Sequence, residues 1–379
     1  MEWKVPLYKI YSDEDDVAAA STVIRRRMGW ANGQEIGNLE KELACYTNRK
    51  YALAFNNGTS ALHALLLAYD IKKNDEIIVP SFTFISTANA ALFTGAKPVF
   101  ADIENKTYAL DAVDIRKKIT KKTKAILPIH YAGCPAVQIE QIRELAQEKD
   151  LLMLEDAAEA LGAKLNNKKT GTFGDSAMFS FCANKIITGG EGGAIVTDSE
   201  EIYEKLKLIR SHGRLETENY FETTKFMDYV SLGYNFRMPT IIAAIILSQL
   251  RKIDRIISLR RNVAKQYSDA FSKKFGLLPD DSKIFNIYQM YSLLTKNRKD
   301  RDDLQKSLSA NGIMSRVYFP PVNGTYFYKK ILGHAENSLP VTYSISDRVL
   351  SIPIFADMKQ EEIDLVINSI RKTIGDKND

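Results

Sequence analysis

One lysine in this 379-residue chain sits where a reactive amine could be held. Between Asp175 and Asp198 the sequence reads DSAMFSFCANKIITGGEGGAIVTD. Residues 178–181 and 194–197 predict two short apolar strands. Between them lie Lys185 and a run of small residues, Thr188-Gly189-Gly190-Glu191-Gly192-Gly193. Glycines let a backbone approach a ligand closely and adopt φ > 0. An amine fixed there by two buried strands could form a Schiff base with an aldehyde cofactor. A surface lysine in a glycine-rich hairpin would leave the same local pattern.

An enzyme using pyridoxal phosphate (PLP) needs three things besides a lysine: a carboxylate at the pyridine nitrogen, a phosphate cup at a helix N-terminus, and a flat surface against the ring. The chain upstream offers a candidate for each. Glu155 and Asp156 end the apolar run LLMLED, and carboxylates at a buried strand end are costly unless paired. Asp156 could keep a pyridinium nitrogen protonated, or it could cap a helix over 157–161. Glu159, one helical turn on, could reach the same ligand. Asn57-Gly58-Thr59-Ser60 lies between a strand and a helix, where free N–H groups and two hydroxyls make an anion cup. Thr59 or Ser60 acting only as an N-cap would look the same. Ser180 could add its hydroxyl to that cup or bond to the sheet. Phe84, after the second strand, could stack on a ring or pack in the core.

These residues need a scaffold, and the chain predicts one. Strands are expected at 51–55, 76–79, 98–101, 125–129 and 151–154. Helices are expected between them at 59–69, 84–93, 111–119 and 137–149. Apolar strands alternating with helices of this length indicate βαβ units and a mainly parallel sheet covered on both faces. Before them come a helix-like run, DDVAAASTVIRRR, and a second helix opening at Asn38. A helix is expected from Asp198 to about Ser211, then a long polar loop over 212–225. Pro239 is placed as the first residue of a helix that runs through IIAAIILSQL into KIDRIISLRRNVAKQY. Beyond it, a strand at 288–294, helices at 301–311 and 360–374, and an extended 317–321 suggest a smaller α+β domain.

The totals exclude several classes. With 45% hydrophobic and 26% charged residues this is an ordinary globular composition. The net charge of +5 is spread among acidic residues, so no nucleic-acid stripe is expected. The most apolar run, 241–247, is far shorter than the ~20 residues that span a bilayer, so no membrane association is expected. Four scattered histidines and three cysteines without metal spacing (Cys45, Cys134, Cys182) predict no metal site and a reducing, cytoplasmic setting.

Taken together, LEKELACYTNRKYALAFNNGTSALHALLLA, DEIIVPSFTFISTANAALFTGAKPVFADI, KTKAILPIHYAG, LEDAAEALGA, GTFGDSAMFSFCANKIITGGEGGAIVTD, RSHGR and GYNFRMPTIIAAI resemble the DegT/DnrJ/EryC1/StrS family of PLP-dependent nucleotide-sugar aminotransferases. The resemblance implies the aspartate-aminotransferase architecture (PLP fold type I). That architecture has a mostly parallel seven-stranded sheet flanked by helices in a large domain (1–245) and a smaller C-terminal α+β domain (246–379), on which the N-terminal segment can pack. It implies Lys185 as the Schiff-base lysine and Asp156 as the partner of the pyridine nitrogen. Gly58, Thr59, Ser60 and Ser180 would surround the phosphate, Phe84 the ring face, and Glu159 the ring hydroxyl. Asn235 would reach the phosphate in a neighbouring subunit, making the active unit a homodimer. Arg237, Tyr318 and Asn323 are candidates for substrate contact.

EDAAEALG and Asn184-Lys185 are closest to the perosamine-synthase-like branch. That branch implies transfer from L-glutamate to C4 of a nucleotide-linked 4-keto-6-deoxy sugar. Alternatives are a C3-keto nucleotide sugar, a cyclic ketone without a nucleotide, or a non-catalytic PLP-fold regulator. Dehydratase relatives carry His in place of the lysine, which Lys185 argues against. Three departures stand out: Glu159 where many members have Gln, Asn323 where His is common, and TGGEGG in place of TTGEGG.

Overall fold

The computed structural model describes residues 3–216, 218–333 and 339–375. Two helices come first, α1 (Glu14–Arg26) and α2 (Gln34–Thr47). Strands and helices then alternate as expected: β1 (Tyr51–Phe55), α3 (Gly58–Ala68), β2 (Glu76–Pro80), α4 (Ile85–Phe93), β3 (Lys97–Ala101), α5 (Ala112–Lys118), β4 (Thr123–Ile126), α6 (Ile139–Glu148) and β5 (Leu152–Asp156). They are followed by β6 (Ser176–Ser180), β7 (Gly193–Thr197) and α7 (Glu200–Arg210). The strands form a seven-stranded sheet in the order β1-β7-β6-β5-β4-β2-β3. It is parallel except at β7, which runs antiparallel to both of its neighbours. One row of the register joins Phe55, Gly193 and Ser180.

Side chains alternate between sheet faces with period two, and both faces are buried. Leu53, Phe55, Met178 and Ile195 point to one side, where they meet Leu62, Leu65 and Leu66 of α3. Ala52, Ala54, Ala177, Phe179, Ala194 and Val196 point to the other. There they meet Leu39 and Leu43 of α2 and the apolar α8 (Thr240–Leu250). Small residues dominate the second face because two helices cross close above it.

The C-terminal part continues with α9 (Ile253–Phe271), β8 (Gly276–Leu277), β9 (Tyr291–Leu294), α10 (Arg298–Ala310), α11 (Pro340–Arg348), β10 (Val349–Ile352) and α12 (Gln360–Thr373). β8, β9 and β10 make a small antiparallel sheet. Val5 is fully buried in the core beside it, held by the Val5 N–H to Gly312 O and the Met314 N–H to Val5 O. Among the described residues no helix is long and apolar enough to cross a membrane.

The structure corrects four local expectations. Pro239 is the N-cap, with ψ 143°, and the helix begins at Thr240, whose N–H is taken by Trp30 O at 2.8 Å. The long helix from Thr240 is two helices, because the chain turns at Arg251-Lys252. The strand expected at 288–294 is shortened to β9, since Tyr288 has φ +53° and 286–290 packs against the turn at 131–133. Residues 157–161 form turns rather than a helix.

Candidate active site

Parallel strands deliver the loops after them to one edge of the sheet, and in such folds ligands bind at that edge. Here a cavity of about 740 Å³ opens there. Lys185 lies in the loop between β6 and β7. The loop is pinched at its base by the Phe181 N–H to Gly192 O (2.8 Å) and the Gly189 N–H to Phe181 O (3.2 Å). The Lys185 N–H donates to Cys182 O at 2.9 Å, turning the side chain into the cavity, which it lines. Its amine stands 3.5 Å from Glu159 Oε1, and Glu159 Oε2 accepts the Ala132 N–H at 2.8 Å.

Asp156 ends β5 and lines the same cavity. Thr87 Oγ1 donates to its Oδ2 at 2.7 Å, and the Ala158 N–H to its Oδ1 at 3.2 Å. Burial pushes its carboxyl above the usual range; Thr87, Ala158 and the Lys185 ammonium oppose this only in part. Thr83 Oγ1 lies 2.8 Å from Thr87 Oγ1 and steadies it.

At the start of α3 the capping is done by Asn57, whose Oδ1 accepts the Ser60 N–H at 2.8 Å. The capping role considered for Thr59 and Ser60 is therefore filled, and both residues line the cavity with Ser86 and Ser180. Thr59 Oγ1 lies 2.8 Å from Ser86 Oγ, and Ser180 Oγ accepts the Cys182 N–H at 3.3 Å. The helix start can approach the strands only because glycines leave room. A Cβ on Gly193 would come within 2.5 Å of the Asn57 carbonyl, and one on Gly58 within 3.2 Å of Met178 Sδ. Hydroxyls around a helix N-terminus form a site for an anion.

Phe84 precedes α4, lines the cavity and is 60% exposed, so a ring face is open to a ligand. Tyr318 and Phe319 form the facing wall, with the Phe84 and Phe319 centroids 6.5 Å apart.

Three expected site residues do not line this cavity. Asn323 is 1% exposed and exchanges hydrogen bonds with Ser81, the Ser81 hydroxyl donating to its Oδ1 at 2.6 Å. Arg237 donates to Ser211 Oγ at 3.0 Å. Asn235 is exposed, its backbone bridged to Ser211. Conversely, Tyr8, Thr87, His130, Glu191 and Arg316 line the cavity without having been singled out. Thr87 carried a readable signal: a hydroxyl one helical turn beyond Thr83 in a helix that follows a strand. Arg316, stacked 4.9 Å over Tyr318, carried none.

The sequence matches the DegT/DnrJ/EryC1/StrS aminotransferase family over residues 11–371. It is 36% identical over 348 residues to the GDP-perosamine synthase of Escherichia coli O157:H7, covering 92% of each chain. It is 34% identical to the UDP-N-acetyl-3-dehydro-alpha-D-glucosamine 3-aminotransferase of Acidithiobacillus ferrooxidans, covering 89% of this chain and 88% of that one. Among solved structures, Helicobacter pylori PseC, an aminotransferase involved in the biosynthesis of pseudoaminic acid, superposes with a TM-score of 0.91. Its identity is 31%, with 99% of this chain and 100% of that one covered. Enzymes of the family depend on PLP. The donor set here fits that cofactor: a buried carboxyl at a strand end, a hydroxyl-lined helix N-terminus, an open phenyl face and an amine converge on one cavity.

Proposed function

Because the chain belongs to the DegT/DnrJ/EryC1/StrS aminotransferase family, we propose that it moves an amino group from L-glutamate to C4 of a nucleotide-linked 4-keto-6-deoxy sugar. The observation that carries the reading is the meeting of Lys185, Asp156 and the Thr59–Ser60–Ser180 hydroxyls in one cavity. Bound PLP would supply an electron sink for the electron pair left when a carbon loses its proton. Asp156 would hold the proton on the pyridine nitrogen, the hydroxyl cup the phosphate, and Phe84 one ring face. Glu159 would stand beside the ring hydroxyl. The Lys185 amine would take the proton from the donor's α-carbon as general base and give it up again as general acid; for the sugar it would work in the opposite sense. Tyr318 and Arg316 line the same cavity and would flank the donor and the sugar.

In this reading residues 1–245 are the cofactor-bearing domain and 246–379 the smaller one, and the active unit is a homodimer. Asn235 lies outside its own cavity, in a stretch that also exposes Phe226 (86%) and Leu232 (83%). Apolar exposure on that scale fits a protein interface. Asn235 then completes the partner's phosphate site.

The test is turnover of GDP- and UDP-linked 4-keto-6-deoxy sugars and of a 3-keto nucleotide sugar with glutamate, read by mass spectrometry and by NMR for the aminated carbon. Amination at C4 is expected. Exclusive amination at C3, or turnover only of ketones without a nucleotide, would replace the proposed substrate.

A further inference from the structure

Lys185 reaches the cavity from a loop, and a loop must be held if its amine is to act at one point. The peptide unit between Asn184 and Lys185 is fixed on both sides. Its N–H donates to Cys182 O within the loop. Its carbonyl, Asn184 O, accepts Gln289 Nε2 at 2.5 Å, from a segment remote in sequence. Gln289 is 4% exposed.

The segment carrying Gln289 is itself locked. Buried Arg260 of α9 donates to Tyr288 O (3.0 and 2.8 Å) and to Gln289 O (2.8 Å). Burial draws that guanidinium's pKa down to about 9, which leaves it charged at neutral pH. Tyr288 holds φ +53°. The same segment grips the turn at 131–133 through the Ile287 N–H to Gly133 O (3.1 Å) and the Met290 N–H to Ala132 O (3.2 Å). Gly133 permits this contact, since a Cβ there would lie 2.6 Å from the Gln289 nitrogen. Ala132 in turn donates to Glu159, the carboxylate facing Lys185.

We infer that Gln289 is a positioning residue for Lys185: through it, one segment sets the lysine loop in register with the turn that holds Glu159. The inference rests on Lys185 being the reactive amine. A hydrogen bond to a peptide carbonyl transmits position rather than charge, so its loss shifts the amine without deleting any group from the cavity.

The experiment compares wild type with Gln289→Met, which keeps length and loses the amide, and Gln289→Glu, which can donate to Asn184 O only when protonated. In the cofactor-free protein, amide hydrogen exchange over 183–189 should rise by about tenfold in Gln289→Met, with other loops unchanged. In the loaded enzyme, kcat should fall by about 100-fold while KM for the donor stays within about threefold. Gln289→Glu should exchange like wild type at acid pH and like Gln289→Met at neutral pH; this arm decides the matter if Gln289→Met does not fold. Wild-type exchange and kcat in folded Gln289→Met, or a ratio of Gln289→Glu to wild-type exchange that stays the same at acid and neutral pH, overturns the inference. Borohydride fixation of PLP in wild type tests the premise separately. An adduct on another lysine overturns the role of Lys185 and with it this inference, whatever the exchange shows.

Discussion

Glu155 and Asp156 are neighbours at the end of β5, and their carboxyls serve opposite sides of the strand. Asp156 faces the cavity. Glu155 is turned inward and fully buried, accepting the Phe173 and Gly174 N–H groups on Oε1 (2.7 Å each) and the Gly171 N–H on Oε2 (2.8 Å). His130 Nδ1 accepts the Ala136 N–H, so Nε2 carries the proton toward Glu155 Oε2 at 2.9 Å. Strand alternation thus separates a carboxylate that holds the fold from one that faces a ligand.

The inward carboxylate sets the acid limit of stability. Burial would raise the Glu155 pKa, but His130 and the backbone N–H groups outweigh it and hold the carboxyl below the usual range. Its contribution is therefore complete above the ordinary glutamate range and lost as pH falls through the depressed value. Glu155→Gln should cost roughly 1–3 kcal/mol at neutral pH, since the amide cannot accept all four bonds. Its melting temperature should also fall less steeply with acid than that of wild type. Parallel acid limbs in the two proteins would refute this.

Asp156 has the opposite sign. Its folded pKa is raised, so the cofactor-free fold binds the proton more tightly than the unfolded chain does, and stability falls as pH rises through that interval. Asp156→Asn should leave the cofactor-free protein as stable as wild type or more so at neutral pH. The loaded enzyme should show the reverse, because a positively charged ring nitrogen removes the cost of the buried charge in wild type alone. Thermal shifts with and without PLP read both; equal cofactor-induced shifts in the two proteins would place the ring nitrogen elsewhere.

Much of the scaffold was legible because it rests on local rules. Continuous apolar runs with breakers gave all the strands of the large sheet, and carboxylates ending one such run marked Asp156. Lys185 was legible for the same reason, being polar between two buried strands. What could not be read depended on packing between distant segments. Arg316 and Tyr8 enter the cavity only because Val5 and its neighbours pair with the 312–314 segment. The break at Arg251-Lys252 has no glycine or proline to announce it. Asn323 looked like a substrate contact, but its amide is engaged by Ser81, a partner far from it in sequence.

Lys185→Ala should fold normally, since the amine's hydrogen bond to Glu159 is long at 3.5 Å, and should lose about 10²–10⁴-fold or more in turnover, as expected for the proposed proton carrier. Single-turnover assays with added PLP measure this. Borohydride treatment of wild type should fix the cofactor on Lys185 alone, as peptide mapping will show.

Gly193→Ala places a methyl group against the Asn57 carbonyl, where the nearest atoms are backbone and cannot swing away. A cost of about 1–3 kcal/mol in urea unfolding is expected from overpacking. PLP affinity should fall further than stability alone explains, because the displaced atoms form the start of α3. An unchanged dissociation constant for PLP would separate Gly193 from the phosphate cup.

Asn235 can be tested by mixing subunits. If it serves the partner's cavity, Lys185→Ala and Asn235→Ala homodimers are each nearly inactive, but a heterodimer contains one site with both wild-type residues. Exchange of subunits should therefore recover activity, up to about half of wild type per heterodimer. Exchanging heterodimers without recovered activity would confine Asn235 to its own subunit.

The reversed direction of β7 has a consequence for how this enzyme is made. Because β7 enters the sheet between β1 and β6, Phe55, Gly193 and Ser180 meet in one row only after the chain has returned to its first strand. Such long-range pairings come late in folding, since the loop must close before the contact rewards it. On the ribosome, the anion cup cannot close until residues through Thr197 have emerged. The lysine loop gains its outer restraint only once Gln289 has emerged as well. The restraint on Asn184 is therefore made by a segment about a hundred residues downstream, and a chain ending before it would carry the Lys185 loop without that contact.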